Sequence, residues 1–189
     1  MRKTTSKAVL ALGANLKVRG FEPHLTLRHA IDAILRQGLL IRAESRFYAT
    51  PCFPAGAGPD YVNAAVLIET ERSPFELLQI LHGIEHDYGR ERIQRWGMRT
   101  LDLDLVCYDD LVLPDREVFQ SWLSLPPEDQ KQQAPDQLIL PHPRVQDRAF
   151  VLVPMADVAP NWRHPILDQT VMEMLAGLPS DDIAAVTPL

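Results

Sequence analysis

The segment Arg99–Tyr108, which reads RTLDLDLVCY, constrains the fold of this chain more than any other segment. Apolar and acidic residues alternate through its middle, and on a β-strand residues two positions apart point to the same face. The three leucines of the alternation are therefore expected in a hydrophobic core, and Asp102 and Asp104 project together from the other face. The alternation predicts a β-strand with one polar face.

Two parallel carboxylates at this spacing repel each other unless a cation lies between them. Mg²⁺ prefers hard oxygen ligands, and it typically takes one or two carboxylates and completes its coordination with water and substrate phosphates. Asp102 and Asp104 are therefore the candidate metal ligands. The alternative is the solvated polar face of an edge strand, because a bare D-x-D motif is short and unspecific.

Arginines are concentrated just before this strand, in a chain whose net charge is −6: Arg90, Arg92, Arg95 and Arg99. Guanidinium groups bind phosphate oxygens in pairs and keep their charge. A metal-bridged polyphosphate held by arginines is the usual electrostatic arrangement for phosphoryl transfer. The alternative is a solvated basic loop that pairs with Glu85, Asp87 and Glu91. Trp96, inside the cluster, is expected to stack on a base or to close over a substrate.

The hydrophobic pattern elsewhere predicts the order βαββαβ followed by helices. Strands are predicted at Lys7–Leu12, Leu39–Tyr48, Tyr61–Thr70 and Arg99–Tyr108, and helices at Pro23–Gln37, Pro74–Asp87, Asp147–Asp157 and Gln169–Leu175. Ser73 and Glu76 form a capping-box pattern. A loop is predicted at Thr50–Asp60, which holds three prolines and two glycines, and a flexible insertion at Pro114–Gln137. This order predicts one α+β domain over residues 1–189, with helices packed on an antiparallel sheet.

The composition, with 46% hydrophobic and 23% charged residues, is that of a globular protein. A net charge of −6 gives no indication of a nucleic-acid partner. No apolar run approaches the ~20 residues of a membrane span, and Ala8–Leu12 is too short for the apolar part of a signal peptide. Cys52 and Cys107 are expected to be reduced thiols. We therefore expect a cytoplasmic protein without membrane or nucleic-acid partners.

Residues 95–108, RWGMRTLDLDLVCY, resemble the signature R-W-G-P-R-T-[LI]-D-[LI]-D of the hydroxymethyldihydropterin pyrophosphokinases. Further blocks agree in the same order: LALGANL, FYATP, PDYVNAAV, EHDYGRER and LPHPRVQDRAFVLVPMADVAP. The resemblance runs from about Ala8 to Pro160 and is broken only by Pro114–Gln137. It implies an α+β, ferredoxin-like core, in which an antiparallel sheet has helices packed on both sides.

The resemblance implies an ATP- and magnesium-dependent enzyme of folate biosynthesis. Such an enzyme transfers the pyrophosphate of ATP to 6-hydroxymethyl-7,8-dihydropterin, giving AMP and the pterin diphosphate. Asp102 and Asp104 would hold two Mg²⁺ ions that bridge the ATP phosphates. The pterin hydroxyl would attack the β-phosphorus in line, and positioning and charge neutralisation would do most of the catalysis. No general base is visible in the sequence.

The resemblance also implies roles for individual residues. Arg90 and Arg99 would clamp phosphates with help from Arg92, and Trp96 would fold over the site. Pterin contacts are implied for Thr50, Phe53, Tyr61, Asn63, Trp96 and Phe150, with main-chain help near Cys52. ATP contacts are implied for Glu85, Arg90, Arg99, His142 and Arg148. Two mobile loops, Thr50–Asp60 and Tyr88–Gly97, would close over the site and exclude water.

The sequence departs from the family pattern at a few positions. Met98 stands where proline is usual, which removes a stiffening residue at the entry to the strand. Cys52 and Phe53 stand where proline and leucine are common, at positions where contacts are expected through the main chain. Gln137 stands where some members carry a basic ATP contact. Nucleotide affinity is therefore the property that these departures are expected to affect.

Other functions fit parts of the sequence. His82, Glu85 and His86 spell H-x-x-E-H, a zinc-peptidase motif that would place both histidines on one helix face. The two aspartates would also suit Mn²⁺ in a nucleotide-sugar transferase. A relative that binds pterin or nucleotide without catalysis would carry the same blocks. Without the resemblance, Tyr61 and Phe150 would be interpreted as core aromatics.

Overall fold

The computed structural model of the chain describes residues 5–52, 58–89, 100–126, 129, 133 and 135–189. Its strands are β1 (Ser6–Ala14), β2 (Leu40–Glu44), β3 (Tyr48–Thr50), β4 (Tyr61–Thr70), β5 (Asp102–Tyr108) and β6 (Thr187–Pro188). Its helices are α1 (Pro23–Arg36), α2 (Pro74–Asp87), α3 (Arg116–Leu123), α4 (Ala149–Val158), α5 (Val171–Ala176) and α6 (Ser180–Ala184). Within these residues no helix has both the length and the apolar sequence needed to cross a bilayer.

All strands belong to one antiparallel sheet, in the order β5-β1-β4-β3-β6, and β2 pairs with another part of β4. β1 lies between β4 and β5, which suits an apolar strand that is buried on both faces. The order β5-β1-β4-β2, with a helix after β1 and another after β4, is that of a ferredoxin-like core. The predicted α+β fold class is therefore confirmed.

Helices α1 and α2 cover one face of the sheet. α1 buries Leu27, Ile31 and Ile34 at helical spacing, in a core that also contains the three leucines of the acidic-strand alternation. α2 begins at the predicted capping box. The Ser73 N–H donates to Glu76 Oε2 (2.8 Å), and the Glu76 N–H donates to Ser73 Oγ (3.3 Å).

Helices α4 and α5 cover the opposite face. Val9, Ala65 and Val106 of the sheet lie in one buried cluster with Leu152 and Met155 of α4. The packing of helices on both sides, predicted from the resemblance, is therefore confirmed. Both cysteines are free thiols, as the sequence predicted.

The prediction of a single strand over Leu39–Tyr48 is wrong, because the chain divides into β2 and β3 at Ser45. Ser45 Oγ donates to the Arg46 carbonyl (2.7 Å) and accepts from the Ala65 N–H (2.8 Å). The Arg46 N–H donates to the carboxylate of Asp157 in α4 (3.1 Å). These side-chain bonds replace the strand ladder locally, so β3 pairs with the start of β4 and β2 with its end.

The prediction of a flexible insertion over Pro114–Gln137 is wrong for its first part, which forms α3. Asp115 caps this helix by accepting from the Val118 N–H (2.9 Å). Phe119 is 0% exposed and lies against the His164 ring, with 5.6 Å between ring centroids. Residues 127–128, 130–132 and 134 of the insertion lie outside the described residues. A two-turn helix with one buried aromatic produces too weak a periodicity to stand out in a sequence.

The C-terminal part contains more structure than the sequence predicted. The helix predicted at Asp147–Asp157 is a 3-10 turn, Val145–Asp147, followed by α4. The helix predicted at Gln169–Leu175 is α5, which begins at a capping box of Thr170 and Glu173. α6 and β6 were not predicted, because elements of five and two residues are too short to show a period.

His164 is a buried histidine that makes the folded state sensitive to acid. Its Nδ1 accepts from the N–H groups of Ile166 (3.1 Å) and Leu167 (3.2 Å). Burial lowers its pKa to about 4, whereas an unfolded chain has an ordinary histidine pKa of about 6.5. The unfolded state therefore binds the proton more strongly. This contribution to stability is complete above pH ~6.5 and falls by on the order of 2–3 kcal/mol as the pH decreases toward ~4.

His164→Asn is expected to flatten this acid dependence, because the Asn carboxamide keeps an acceptor oxygen and takes up no proton in this range. The measurement is the free energy of unfolding in urea from about pH 4 to about pH 7.5. The slope with pH is compared rather than the stability at one pH, since loss of the ring lowers stability at every pH. Equal slopes in the two proteins would contradict the prediction.

Candidate active site

A residue predicted to contact the pterin and a residue predicted to bind the metal lie in a single row across three neighbouring strands. Gly13 of β1 pairs with Asn63 of β4 on one side and with Asp102 of β5 on the other. Directly paired residues of an antiparallel sheet point to the same face, so Asn63 and Asp102 share a face. They are two strand spacings apart, which is roughly 10 Å.

The carboxylates lie beside a strip of small residues on β1. Ala11 pairs with Asp104 in the row next to that of Gly13 and Asp102. Because Ala11 and Gly13 carry at most a methyl group, β1 leaves space between the carboxylates and Asn63. Both aspartates are partly buried, whereas the leucine between them lies in the core of the opposite face. The predicted alternation is therefore observed, and both carboxylates lie on the face of the sheet that carries Ala11 and Gly13.

The side chain of Asn63 is held in one orientation. Its Nδ2 donates to Thr50 Oγ1 (2.7 Å), and both residues are buried. Its Oδ1 lies so near Gly13 that a Cβ added there would be 3.0 Å from that oxygen. Thr50, predicted at the start of a loop, is the last residue of β3 and pairs with Tyr61. The structure therefore brings Thr50, Tyr61 and Asn63 together on one face.

Phe150 lies in the first turn of α4, the helix that packs on this face of the sheet. Its side chain is exposed, at 41%, and the Arg148 guanidinium lies over its ring, 5.7 Å from the centroid. Phe150 is therefore not a core aromatic. Tyr61 is partly buried at the beginning of β4.

His142 is a partly buried neighbour of the acidic strand. Its N–H donates to the Val106 carbonyl of β5 (2.7 Å), and its Nδ1 accepts from the Arg144 N–H (3.1 Å). Burial and then the charge of Arg148 lower its pKa to about 4, while the charge of Asp104 opposes the shift. At neutral pH this imidazole is therefore uncharged, and it lies within electrostatic reach of Arg148 and Asp104.

Glu85 connects α2 to the acidic strand. It is only 2% exposed, and its Oε1 accepts from the Leu103 N–H (2.8 Å), between the two aspartates. A carboxylate in this place fixes the main chain that carries Asp102 and Asp104. The resemblance implied an ATP contact for Glu85, and this hydrogen bond to β5 was not predicted.

Several predicted site residues lie outside the described residues: Phe53, Arg90, Arg92, Arg95, Trp96 and Arg99. Met98, which departs from the family pattern, lies outside them too. Residues 53–57 of the predicted mobile loop Thr50–Asp60 and residues 90–97 of the loop Tyr88–Gly97 also lie outside the described residues. Gln137, the departure that was expected to affect nucleotide affinity, is exposed.

A comparison of the whole sequence with protein families gives a match over this region. The sequence model of the family described as 7,8-dihydro-6-hydroxymethylpterin-pyrophosphokinase (HPPK) matches residues 9–160. The chain belongs to this family. Membership identifies it as a pyrophosphokinase, and the family predicted from the sequence blocks is confirmed.

Relatives of comparable length support the HPPK assignment. The chain is 36% identical over 184 residues to the 2-amino-4-hydroxy-6-hydroxymethyldihydropteridine pyrophosphokinase of Synechocystis, covering 96% of this chain and 80% of that protein. It is 34% identical over 179 residues to the protein of the same name from Pseudomonas aeruginosa, covering 94% of each.

Solved structures share the HPPK fold at lower identity. Wild-type Plasmodium falciparum HPPK-DHPS with pteroate superposes with a TM-score of 0.65 at 14% sequence identity. The match covers 93% of this chain and 43% of that chain, so the chain spans less than half of the larger protein. At this identity the likeness shows the fold alone.

The described residues give the zinc-peptidase alternative no support. Among them, no group of three or more His, Cys, Asp or Glu side chains is placed to hold a metal ion. The His86 side chain is 88% exposed, whereas Glu85 is buried against the Leu103 N–H.

Asp102 and Asp104 together offer two carboxylates on one face, which is the number that Mg²⁺ typically takes from a protein. The donor set therefore fits magnesium completed by phosphate and water.

Two features of the site were missed in the sequence. Asn15, just after β1, is buried and donates from Nδ2 to the Pro59 carbonyl (3.1 Å). Asp60 Oδ1 accepts from the Cys52 N–H (3.3 Å), which ties together the two ends of the loop after β3. The block LALGANL contained the signal, because an asparagine after a buried strand and a glycine is a common turn residue with local hydrogen bonds.

Proposed function

We propose that this chain transfers the pyrophosphoryl group of ATP to 6-hydroxymethyl-7,8-dihydropterin, giving AMP and the pterin diphosphate, as a single catalytic domain in folate biosynthesis. The observation that carries the proposal is the row Asn63–Gly13–Asp102, which presents an amide and a carboxylate on one face across a glycine. The amide suits the edge of a pterin, and the carboxylate suits a metal-bound phosphate. The names of the relatives support the same reaction.

The pterin would lie at the β3 and β4 end of the row. The Asn63 carboxamide, fixed by Thr50, offers a donor and an acceptor to the polar edge of a flat heterocycle. Tyr61 and Phe150 are placed on the same side of the sheet, where they would sandwich the ring. Phe53 and Trp96 would complete the pocket.

The triphosphate would lie at the β5 end. Asp102 and Asp104 would hold Mg²⁺, two ions by the family pattern, and the metal would supply charge neutralisation of the phosphates. Arg90, Arg92 and Arg99 would bind the free phosphate oxygens. Glu85, His142 and Arg148 would border the nucleotide, and the uncharged His142 adds no positive charge beside Arg148.

The chemistry would be a single in-line displacement. The pterin hydroxyl oxygen forms a bond to the β-phosphorus and its proton is released to solvent, while the bond from the β-phosphorus to the oxygen shared with the α-phosphorus breaks and AMP leaves with that oxygen. The residues of this chain orient the two substrates and exclude water, which accounts for most of the catalysis in phosphoryl transfer. We propose the cytoplasm as the compartment, in keeping with the two free thiols.

The test is to incubate the purified protein with ATP, Mg²⁺ and 6-hydroxymethyl-7,8-dihydropterin and to separate the nucleotides by chromatography. AMP and pterin diphosphate in equal amounts are expected. ADP would show transfer of a single phosphoryl group, which contradicts attack at the β-phosphorus. Binding of ATP and pterin without any nucleotide product would favour the non-catalytic relative.

Gly13→Ala is expected to weaken pterin binding about 10-fold or more while nucleotide binding stays near that of the unchanged protein. The new Cβ would lie 3.0 Å from Asn63 Oδ1, so the carboxamide must move and its 2.7 Å bond to Thr50 is disturbed. Pterin fluorescence titration in the presence of a non-hydrolysable ATP analogue measures the effect. Gly83→Ala is the matched control, because a Cβ there meets nothing within 4 Å. Equal pterin affinity of the two variants would contradict the prediction.

A further inference from the structure

The segment 161–189 lies beyond the family match, which ends at residue 160, and it contributes none of the site residues described above. It nevertheless folds back along the molecule. The Trp162 indole Nε1 donates to the Asp109 carbonyl after β5 (2.8 Å). α5 and α6 pack on α4, and β6 pairs with β3. The segment therefore returns to the strand that carries Thr50.

The pairing of β3 with β6 is a regular antiparallel ladder. The Leu189 N–H donates to the Phe47 carbonyl (2.9 Å), and the next pairs are Tyr48 with Pro188 and Ala49 with Thr187. Hydrogen-bonded and non-bonded pairs alternate in such a ladder, so Pro188 stands at a position that needs no N–H. Thr187 stands at the next hydrogen-bonded position.

β3 needs support on both edges because it is only three residues long. Its first residue, Tyr48, is buried with Ala149 and Val186, and its hydroxyl donates to Asp157 of α4 (2.7 Å). Its last residue, Thr50, holds the Asn63 carboxamide. β4 lies on one edge of β3 and β6 on the other. β6 therefore pairs with Ala49, the residue directly before the Thr50 that orients Asn63.

We propose that Thr187 is a positioning residue for the pterin site: through β6 it clamps β3 against β4 and so fixes the Thr50–Asn63 pair. The inference rests on the proposed function, because it concerns the pterin end of the same site. A short strand with one open edge separates from its sheet easily. Release of β6 would therefore loosen Thr50 and the start of the following loop, while Asp102 and Asp104, on the far side of β1, would stay in place.

The test compares Thr187→Pro, which removes the N–H from a hydrogen-bonded position, with Thr187→Val, which keeps it. Thr187→Pro is expected to raise KM for the pterin about 10-fold and to leave KM for ATP and kcat within about 2-fold. Amide hydrogen exchange of Tyr48–Thr50 should become faster in the same variant. Thr187→Val should resemble the unchanged protein in both measurements. Leu189→Pro removes the hydrogen bond to the Phe47 carbonyl at the end of the ladder. It should raise KM for the pterin as well, but by a smaller factor than Thr187→Pro.

The outcomes separate this inference from the proposed function. An unchanged protein that forms AMP, together with a Thr187→Pro variant of normal pterin KM, would overturn the role of β6 alone. Equal losses of pterin and ATP affinity in Thr187→Pro and Leu189→Pro would also overturn it, because they would indicate general unfolding. An unchanged protein that binds no pterin would overturn the proposed function, and the positioning role with it.

Discussion

Asp104→Asn is expected to lower the rate of pyrophosphoryl transfer by at least about 10³-fold, equivalent to about 4 kcal/mol of transition-state stabilisation. The substitution keeps the shape of the side chain but removes a charge from the pair of carboxylates that we propose holds the metal-bound phosphates. A neutral amide is a weak ligand for Mg²⁺, and phosphoryl transfer depends on charge neutralisation more than on any covalent step. The measurement is AMP formation at saturating ATP and pterin.

The fold and pterin binding are expected to survive this substitution. Asp104 is partly exposed on the polar face of β5, and Asn63 is on the other side of β1. The thermal midpoint and the pterin affinity should therefore stay close to those of the unchanged protein. Asp110→Asn, at an exposed aspartate after the same strand, is the matched control and should retain activity. A rate of AMP formation within 10-fold of that of the control would contradict the proposed role of Asp104 as a magnesium ligand.

The acidic strand could be predicted because its information is local. Alternation over a few residues determines which side chains of Asp102–Tyr108 face the core, and Leu103 and the carboxylates beside it obey that rule. The capping box of α2 is equally local, since Ser73 and Glu76 are three residues apart. The hydrophobic pattern gave the order of the elements, and the family blocks then supplied the implied roles of residues in the site.

The row Asn63–Gly13–Asp102 could not be derived from the residues alone. It depends on the register of three strands that are far apart in the sequence, and a shift by one residue would turn every side chain to the other face. The contact of Glu85 with the Leu103 N–H could not be derived from the residues alone either, because it forms only when α2 packs against β5 in the folded chain. Sequence reasoning named Asn63 and Asp102 as site residues, but neither Gly13 between them nor their spacing.

The errors occurred where side chains outweigh the local pattern. Ser45 breaks an apparently continuous strand because its hydroxyl bonds to Ala65 of another strand. α3 escaped prediction because its main apolar anchor, Phe119, is buried against His164, which lies much later in the chain. In both cases the deciding partner is distant in sequence, so no window of neighbouring residues contains the information.

The second large effect is expected from Phe119→Ala, which should lower the free energy of unfolding by about 3–5 kcal/mol. Phe119 is 0% exposed, and its removal leaves a cavity beside the His164 ring. If the region from Pro114 to Gln137 were flexible throughout, as its composition indicated, the same substitution would change stability by less than about 1 kcal/mol. Urea unfolding at neutral pH separates these two values.

Two controls define what this loss means. Phe75→Ala removes the same ring from a 57% exposed position on α2, so it should change stability by no more than about 0.5 kcal/mol. Phe119→Leu fills most of the cavity and should recover much of the loss. At temperatures where Phe119→Ala stays folded, its kcat should match that of the unchanged protein, because α3 carries none of the proposed site residues. A reduced kcat in the folded variant would instead connect the insertion to the active site.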